Sequence, residues 1–193
     1  MNGLIELFNQ EGLPSDLIDE IISISEYKKI DNQQVIVQYK QICQELFYVV
    51  KGGFIVKYYN ENLGSSRTVN FNLDTFQPFM ACVDSFYNQV PSEFSIKAFQ
   101  KSEIIVFQKD KLFDLMNKIV AFKDFYLAQL TNSLIAENDF RVKLITLSPE
   151  EMYGFIRDKY PDLTLRVPSK YIAEFIGISP EWLSKIKRKD LIS

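Results

Sequence analysis

Histidine is absent from this chain of 193 residues, and cysteine occurs only twice. Without imidazole there is no Ser-His-Asp triad, no His-ligated haem and none of the usual zinc sites. Cys43 and Cys82 are too few for a disulfide framework or for the four thiolates of an iron-sulfur cluster. Neither a metal site nor a resident cofactor is expected. Long apolar runs are missing too: they stop at about five residues, at 46–50, far short of a spanning helix. The stretch 1–10 carries acid in place of the basic charge of a secretory leader. Together these absences predict a soluble chain, at home in a reducing cytoplasm, with no membrane partner.

What the chain does hold is apolar material, 47% of its residues, including 16 Phe and 10 Tyr, enough to build a sizeable core. Its net charge of −3 is spread unevenly. Residues 1–140 carry 12 Lys/Arg against 18 Asp/Glu, whereas 141–193 carry 10 against 7, so the C-terminal end is net basic and suited to a polyanion.

From Leu4 to Ile22 apolar residues recur at three and four, interrupted by Gly12 and Pro14, which predicts two short helices. Short β-rich segments follow at 26–30, 35–39, 46–51, 54–59, 67–73, 94–98 and 103–108. Val69, Phe71 and Leu73 alternate with Asn70 and Asn72, as in a half-buried strand. Gly52-Gly53 reads as a two-residue hairpin turn, and 60–66, with Gly64, as a longer one. Such a series of short strands predicts an antiparallel sandwich, barrel or jelly roll.

Past Lys109 the pattern turns helical, and a stretch from about Val120 to Leu147 has no Gly or Pro. Leu127, Leu130, Leu134, Glu137, Arg141 and Leu144 are spaced alternately three and four, as in the seam of a short coiled coil. The same stripe also suits packing on the β domain. Ser148-Pro149-Glu150-Glu151 then supplies an N-cap, a proline at the first helical position and a capping-box glutamate. The helix so begun runs to about Lys159, where Tyr160-Pro161 stops it.

Residues 167–188 have the anatomy of a helix-turn-helix. Ala173 is the small residue a crossing helix needs, and Gly177, four positions on, tolerates the turn. Ile172, Ile176, Ile178, Leu183 and Ile186 seal the two helices. Ser179 caps the second, and Pro180 opens it. At 100° per residue Leu183 and Ile186 define its buried side, which leaves Glu181, Ser184, Lys185 and Arg188 outward for a major groove. Lys185 and Arg188 suit guanine or phosphate, Glu181 the amino group of cytosine, and Ser184 either. Ser169, Lys170, Ser179 and Lys187 complete the expected DNA contacts, and Trp182 falls beside the face, partly buried. An ordinary helical hairpin with a solvated charged face is the plainer alternative.

An N-terminal helical piece, a β-roll containing Lys51-Gly52-Gly53, a long helix and this C-terminal motif together resemble the Crp/Fnr family of transcription regulators over essentially the whole chain. The segments 46–53, 147–151 and 167–173 carry the resemblance, and the nearest branch is that of small regulators from Bacteroidetes-type bacteria. The resemblance implies an α+β fold in three parts: a cyclic-nucleotide-binding-like antiparallel β-roll (jelly roll) with flanking helices at 1–119, a dimerisation helix at 120–147, and a helix-turn-helix domain at 148–193. It also turns the 3-4 stripe into the seam of a homodimer. Cyclic-nucleotide-binding members hold the phosphate with a Gly-Glu segment and a following Arg. Here the matching stretches, 78–83 and Ser92-Glu93, contain neither, and no Arg or Lys stands between Arg67 and Lys97. Binding of cyclic AMP in the family's manner is therefore not expected. With four residues left after the second helix, no full C-terminal wing is expected either.

The function expected is that of a dimeric, sequence-specific DNA-binding transcription regulator, not an enzyme. Its partners are a near-palindromic double-stranded operator, a second copy of itself, RNA polymerase and an unidentified small-molecule effector. Phe71, Phe79, Phe86, Ser92 and Phe94 are the candidate lining of an effector pocket, although so many aromatics serve equally well as core. The competing reading is a ligand- or protein-binding β-roll whose C-terminal helices dock a protein partner.

Overall fold

The computed structural model describes residues 2–190. Helices α1 (Asn2–Gln10) and α2 (Ser15–Ser23) lead into strands β1 (Ser25–Ile30), β2 (Val35–Val37), β3 (Glu45–Lys51), β4 (Gly53–Asn60), β5 (Ser65–Leu73) and β6 (Phe79–Met80). Helix α3 (Val83–Asn88), strands β7 (Phe94–Ala98) and β8 (Ser102–Gln108), and helices α4 (Lys109–Lys118) and α5 (Val120–Thr146) follow. The chain continues through α6 (Pro149–Lys159), α7 (Pro161–Arg166), α8 (Ser169–Ile176) and α9 (Pro180–Asp190). Among these, β6, α3 and α7 are too short to leave a periodic signal in the sequence.

The strands form two antiparallel four-stranded sheets, ordered β1-β8-β3-β6 and β2-β7-β4-β5. One core lies between them, with Phe47, Val49 and Val106 from the first sheet and Val37, Phe54 and Ile96 from the second. Helices α1, α2, α4 and the first half of α5 cap this core through Leu4, Ile21, Leu115 and Phe125.

The Gly52-Gly53 pair corrects the hairpin expected there. Strand β3 pairs with β8 and β6, whereas β4 pairs with β5 and β7, so the two glycines carry the chain from one sheet to the other. Steric room decides this corner. Gly52 has φ +100°, and a Cβ on it would stand 2.3 Å from Ser102 Oγ; a Cβ on Gly53 would stand 2.3 Å from Phe99 Cζ. Gly53 N–H donates to Ser102 Oγ at 3.0 Å, which ties the crossing to β8. The turn at 60–66 does join paired strands, β4 and β5.

Strand β5 differs from its half-buried expectation because both of its faces are covered. Phe54 stands opposite Asn72, Ile55 opposite Phe71 and Val56 opposite Asn70. Directly opposed residues share a face. Phe54 belongs to the inter-sheet core, so Asn70 and Asn72 face inward with it. Ile55, Phe71 and Leu73 face outward into a second core, completed by Phe140 of α5 and by Met152, Ile156, Leu163, Ile172 and Leu183 of the C-terminal helices. Val69, read as inward, is 40% exposed at the lip of the sheet.

Polar contacts fasten the C-terminal helices to the sheet. Glu174 of α8 accepts from Thr68 N–H (3.1 Å) and Thr68 Oγ1 (2.7 Å) and pairs with Lys57 Nζ (3.1 Å). Arg166 of α7 donates to Gly52 O (2.8 Å) and Asp74 Oδ1 (2.5 Å). The Phe71 and Phe175 rings meet edge to face at 5.1 Å.

Candidate nucleic-acid interface

The α8–α9 pair is built from local signals. Helix α8 ends at Gly177, whose φ of +85° is a conformation glycine adopts without strain. The N–H groups of Gly177 (2.9 Å) and Ile178 (3.0 Å) both donate to Ala173 O, closing the turn. Ser179 Oγ then accepts from Trp182 N–H at 3.2 Å, the N-cap interaction expected of it. Ile172, Ala173, Leu183 and Ile186 are buried where the two helices meet. Upstream, Ser148 and Glu151 form the full reciprocal capping box that starts α6.

With Leu183 and Ile186 inward, Glu181, Ser184, Lys185 and Arg188 are all exposed on α9. Glu181's own backbone N–H, with the Ser179 hydroxyl, holds its carboxyl below the ordinary range. It is a ready acceptor at neutral pH. Ser184 Oγ donates to Pro180 O at 3.0 Å, which leaves its lone pairs to accept. Lys187 is only half exposed: its Nζ donates to Ser169 Oγ at 2.6 Å and lies 5.7 Å from the Tyr153 ring centre, so it braces α9 against the start of α8. Lys170 is exposed and lies over the Tyr171 ring, 4.7 Å from its centre. Trp182 is 44% exposed, its indole N–H donating to Glu150 Oε1 at 3.2 Å.

The six seam residues divide. Leu127 (48%), Leu134 (67%), Glu137 and Arg141 are exposed, whereas Leu130 packs on the inter-sheet core and Leu144 on the second core. Val120 (72%) and Ile145 (78%) continue the exposed apolar stripe at the two ends of α5, in line with Leu127 and Leu134 at about 100° per residue.

Between the inner face of β5, the β6–α3 segment and α5 lies a cavity of about 1080 Å³. Phe79 and Phe94 line it. The other three expected lining residues are engaged elsewhere: Phe71 in the second core, Phe86 in the first, and Ser92 in a two-way hydrogen bond with the backbone of Phe94. Sequence reasoning missed Asn70, Asn72, Gln77, Glu137 and Arg141 as lining residues. The two asparagines inside an otherwise apolar strand were the available signal. Although the Glu137 side chain reaches solvent, the cavity wall partly desolvates its carboxyl and pushes it above the ordinary range. Among the described residues, no group of three or more Cys, Asp or Glu side chains could hold a metal ion, and no helix is long and apolar enough to cross a membrane.

No family model and no curated protein matches this sequence. Solved structures do. The c-di-GMP responsive global regulator CLP of Xanthomonas campestris aligns with a TM-score of 0.69 at 14% identity, over 93% of this chain and 92% of its own. FixK2 of Bradyrhizobium japonicum aligns with a TM-score of 0.70 at 11% identity, over 86% of this chain and 84% of its own. A cyclic nucleotide-binding domain from Methylobacillus flagellatus aligns with a TM-score of 0.58 at 16% identity, covering 71% of this chain and 77% of its own. At such identities the likeness is one of fold: this chain shares with these proteins a cyclic-nucleotide-binding-like fold of antiparallel sheets and helices.

Proposed function

We propose that the chain is a dimeric, sequence-specific DNA-binding transcription regulator of Crp/Fnr type, with α8 and α9 as its helix-turn-helix. The observation that carries this reading is the outward face of α9. Glu181, Ser184, Lys185 and Arg188 stand exposed together on a helix whose opposite side is sealed by Leu183 and Ile186. A major groove accepts such a helix, and those side chains match its donor and acceptor edges. The basic C-terminal segment adds phosphate attraction, with Lys170 exposed at the start of α8. The fold shared with CLP, a global regulator by its own description, agrees with this assignment.

The exposed stripe Val120, Leu127, Leu134 and Ile145 is the surface through which a second copy pairs, α5 against α5. The dimer presents two α9 faces to successive major grooves, and it works in the cytoplasm, where RNA polymerase is a further partner. The cavity beneath α5 is its effector site, and this site does not take cyclic AMP. Arg141 is the sole cation among the cavity's described lining residues, it already donates to Asn138 at 2.6 Å, and Asp84 and Glu137 stand in the same lining.

Selection of binding sites from random duplexes tests the proposal. A two-fold motif with half-sites about one helical turn apart is expected. Glu181→Ala and Lys185→Ala should each relax preference at one base pair per half-site, at a cost on the order of 1 to 3 kcal/mol. Absence of a two-fold motif, or a motif unchanged by both substitutions, overturns it.

A further inference from the structure

We infer that Trp182 is a further DNA contact, its indole N–H donating to a backbone phosphate at the wall of the groove, and that Glu150 holds this N–H until a phosphate displaces it. The inference deepens the DNA-binding reading above and rests on it. It adds a neutral donor on the flank of α9 and an acid that competes for that donor.

Trp182 is the chain's single tryptophan and stands in the first turn of α9. Ser179 Oγ accepts its backbone N–H at 3.2 Å, which fixes the backbone where the ring departs. At about 100° per residue the ring lies about a quarter turn from the Leu183 seal, on the flank that Lys185 and Lys189 share one and two turns further on. Both lysines are exposed, and Trp182 is 44% exposed. A helix with its side chains is about 10 to 12 Å across, and the major groove is about 12 Å wide. A helix seated there turns its outward face to base edges and its flanks to the sugar-phosphate walls. Trp182 therefore meets backbone, whereas Glu181 and Lys185 reach bases.

An indole N–H donates and cannot accept. That of Trp182 donates to Glu150 Oε1, on the second residue of α6, at 3.2 Å. A carboxylate oxygen marks a place where an anionic oxygen fits. The bond is slack beside the strongest charge-assisted ones, which close to about 2.7 to 2.9 Å, so a better-placed phosphate exchanges for it readily. The acids next to this pair in sequence are engaged otherwise. Glu151 accepts from Ser148 N–H and Ser148 Oγ at 2.8 Å each, and Glu181 is held by its own backbone N–H and by Ser179. Glu150 is thus the acid set against the indole, and a phosphate arriving at Trp182 replaces it and meets its repulsion.

The experiment uses the full chain and two end-labelled duplexes, the selected two-fold site and a scrambled one, read by fluorescence anisotropy from low salt upward. The sole indole N–H resonance is followed by NMR and should move when duplex is added. Trp182→Phe keeps a ring and removes the N–H. It should weaken both duplexes alike, by about fivefold, with base preferences unchanged. The salt slope should also stay the same, because a neutral donor releases no counterion. Glu150→Ala should tighten both duplexes by about two- to fivefold, and the gain should shrink when Trp182→Phe is added. A tryptophan that merely braced α9 on α6 would make Glu150→Ala bind more weakly. A stationary indole signal, unchanged affinity or altered base preference in Trp182→Phe, or a Glu150→Ala variant that does not tighten overturns the inference. Where the wild type selects a two-fold motif and these readouts fail, this inference alone falls; where the wild type binds neither duplex, the DNA-binding reading falls with it.

Discussion

Glu174 offers the sharpest test of how the C-terminal helices are held. One of its carboxylate oxygens takes Thr68 N–H, Thr68 Oγ1 and Lys57 Nζ at 3.1, 2.7 and 3.1 Å. The Thr68 side is 2% exposed, the Lys57 side chain 17% and the Glu174 side chain 34%. Replacing Glu174 with Ala strands a buried hydroxyl, a strand N–H and a mostly buried ammonium. Breaking a fully buried pair costs about 3 to 5 kcal/mol, and an exposed pair is worth about 0 to 1. Partial exposure of the carboxylate places Glu174→Ala between these limits, at about 2 to 3 kcal/mol. Glu174→Gln keeps an acceptor and loses the charge, for about 1 kcal/mol. Burial raises the Glu174 carboxyl, but Thr68 and Lys57 together outweigh it and hold the group below its ordinary 4.5. A depressed carboxylate contributes stability that is complete above the unfolded value and lost as pH falls through the folded one. The gap between wild type and Glu174→Gln should thus be constant from about pH 6 to 8 and shrink as pH falls below the ordinary 4.5. Urea denaturation across that range is the assay, with a double-mutant cycle on Lys57→Met to isolate the ion pair. A loss under about 0.5 kcal/mol for Glu174→Ala, or a gap that persists in acid, would refute the clamp.

Two further outcomes concern the corner and the helix. Gly52→Ala should destabilise by roughly 3 kcal/mol, because a Cβ meets Ser102 at 2.3 Å in a φ of +100°, whereas Gly64→Ala, with φ +59° and nothing within 4 Å, should cost about 1; equal urea midpoints for the two variants contradict the argument. Leu127→Asp combined with Leu134→Asp should leave the fold intact and yield monomers in sedimentation, since both side chains are exposed, whereas Leu130→Asp should also lower thermal stability because Leu130 packs on the inter-sheet core. Dimers that survive the double substitution would remove α5 from the pairing surface.

The start of α6, the turn at Gly177 and the cap at Ser179 are all legible in the sequence, because each is decided by residues within four positions of one another. The outward face of α9 follows from helical periodicity and two seal residues in the same way. The strand run was equally plain, and so was the break between α1 and α2, where Gly12 has φ +73°.

Strand partners and covered faces belong to tertiary structure. Gly52-Gly53 carries the composition of a hairpin, yet the chain changes sheets there, since β3 finds β8 and β4 finds β7 from more than 35 residues away. Strand β5 looks half-buried in isolation. Its outer face is closed by α8, whose Glu174 lies 106 positions from Thr68, and only that closure turns Asn70 and Asn72 into inward-facing polar groups. The cavity and the division of the α5 stripe between core and surface depend on the same distant docking. Apart from the short β6, α3 and α7, local sequence determined which segments are helix and strand, because hydrogen-bonding caps, φ restrictions and apolar periods act within a few residues. Which surfaces those segments cover was decided by packing between segments far apart in the chain, where burial and unpaired polar atoms are shared and no single segment carries the information.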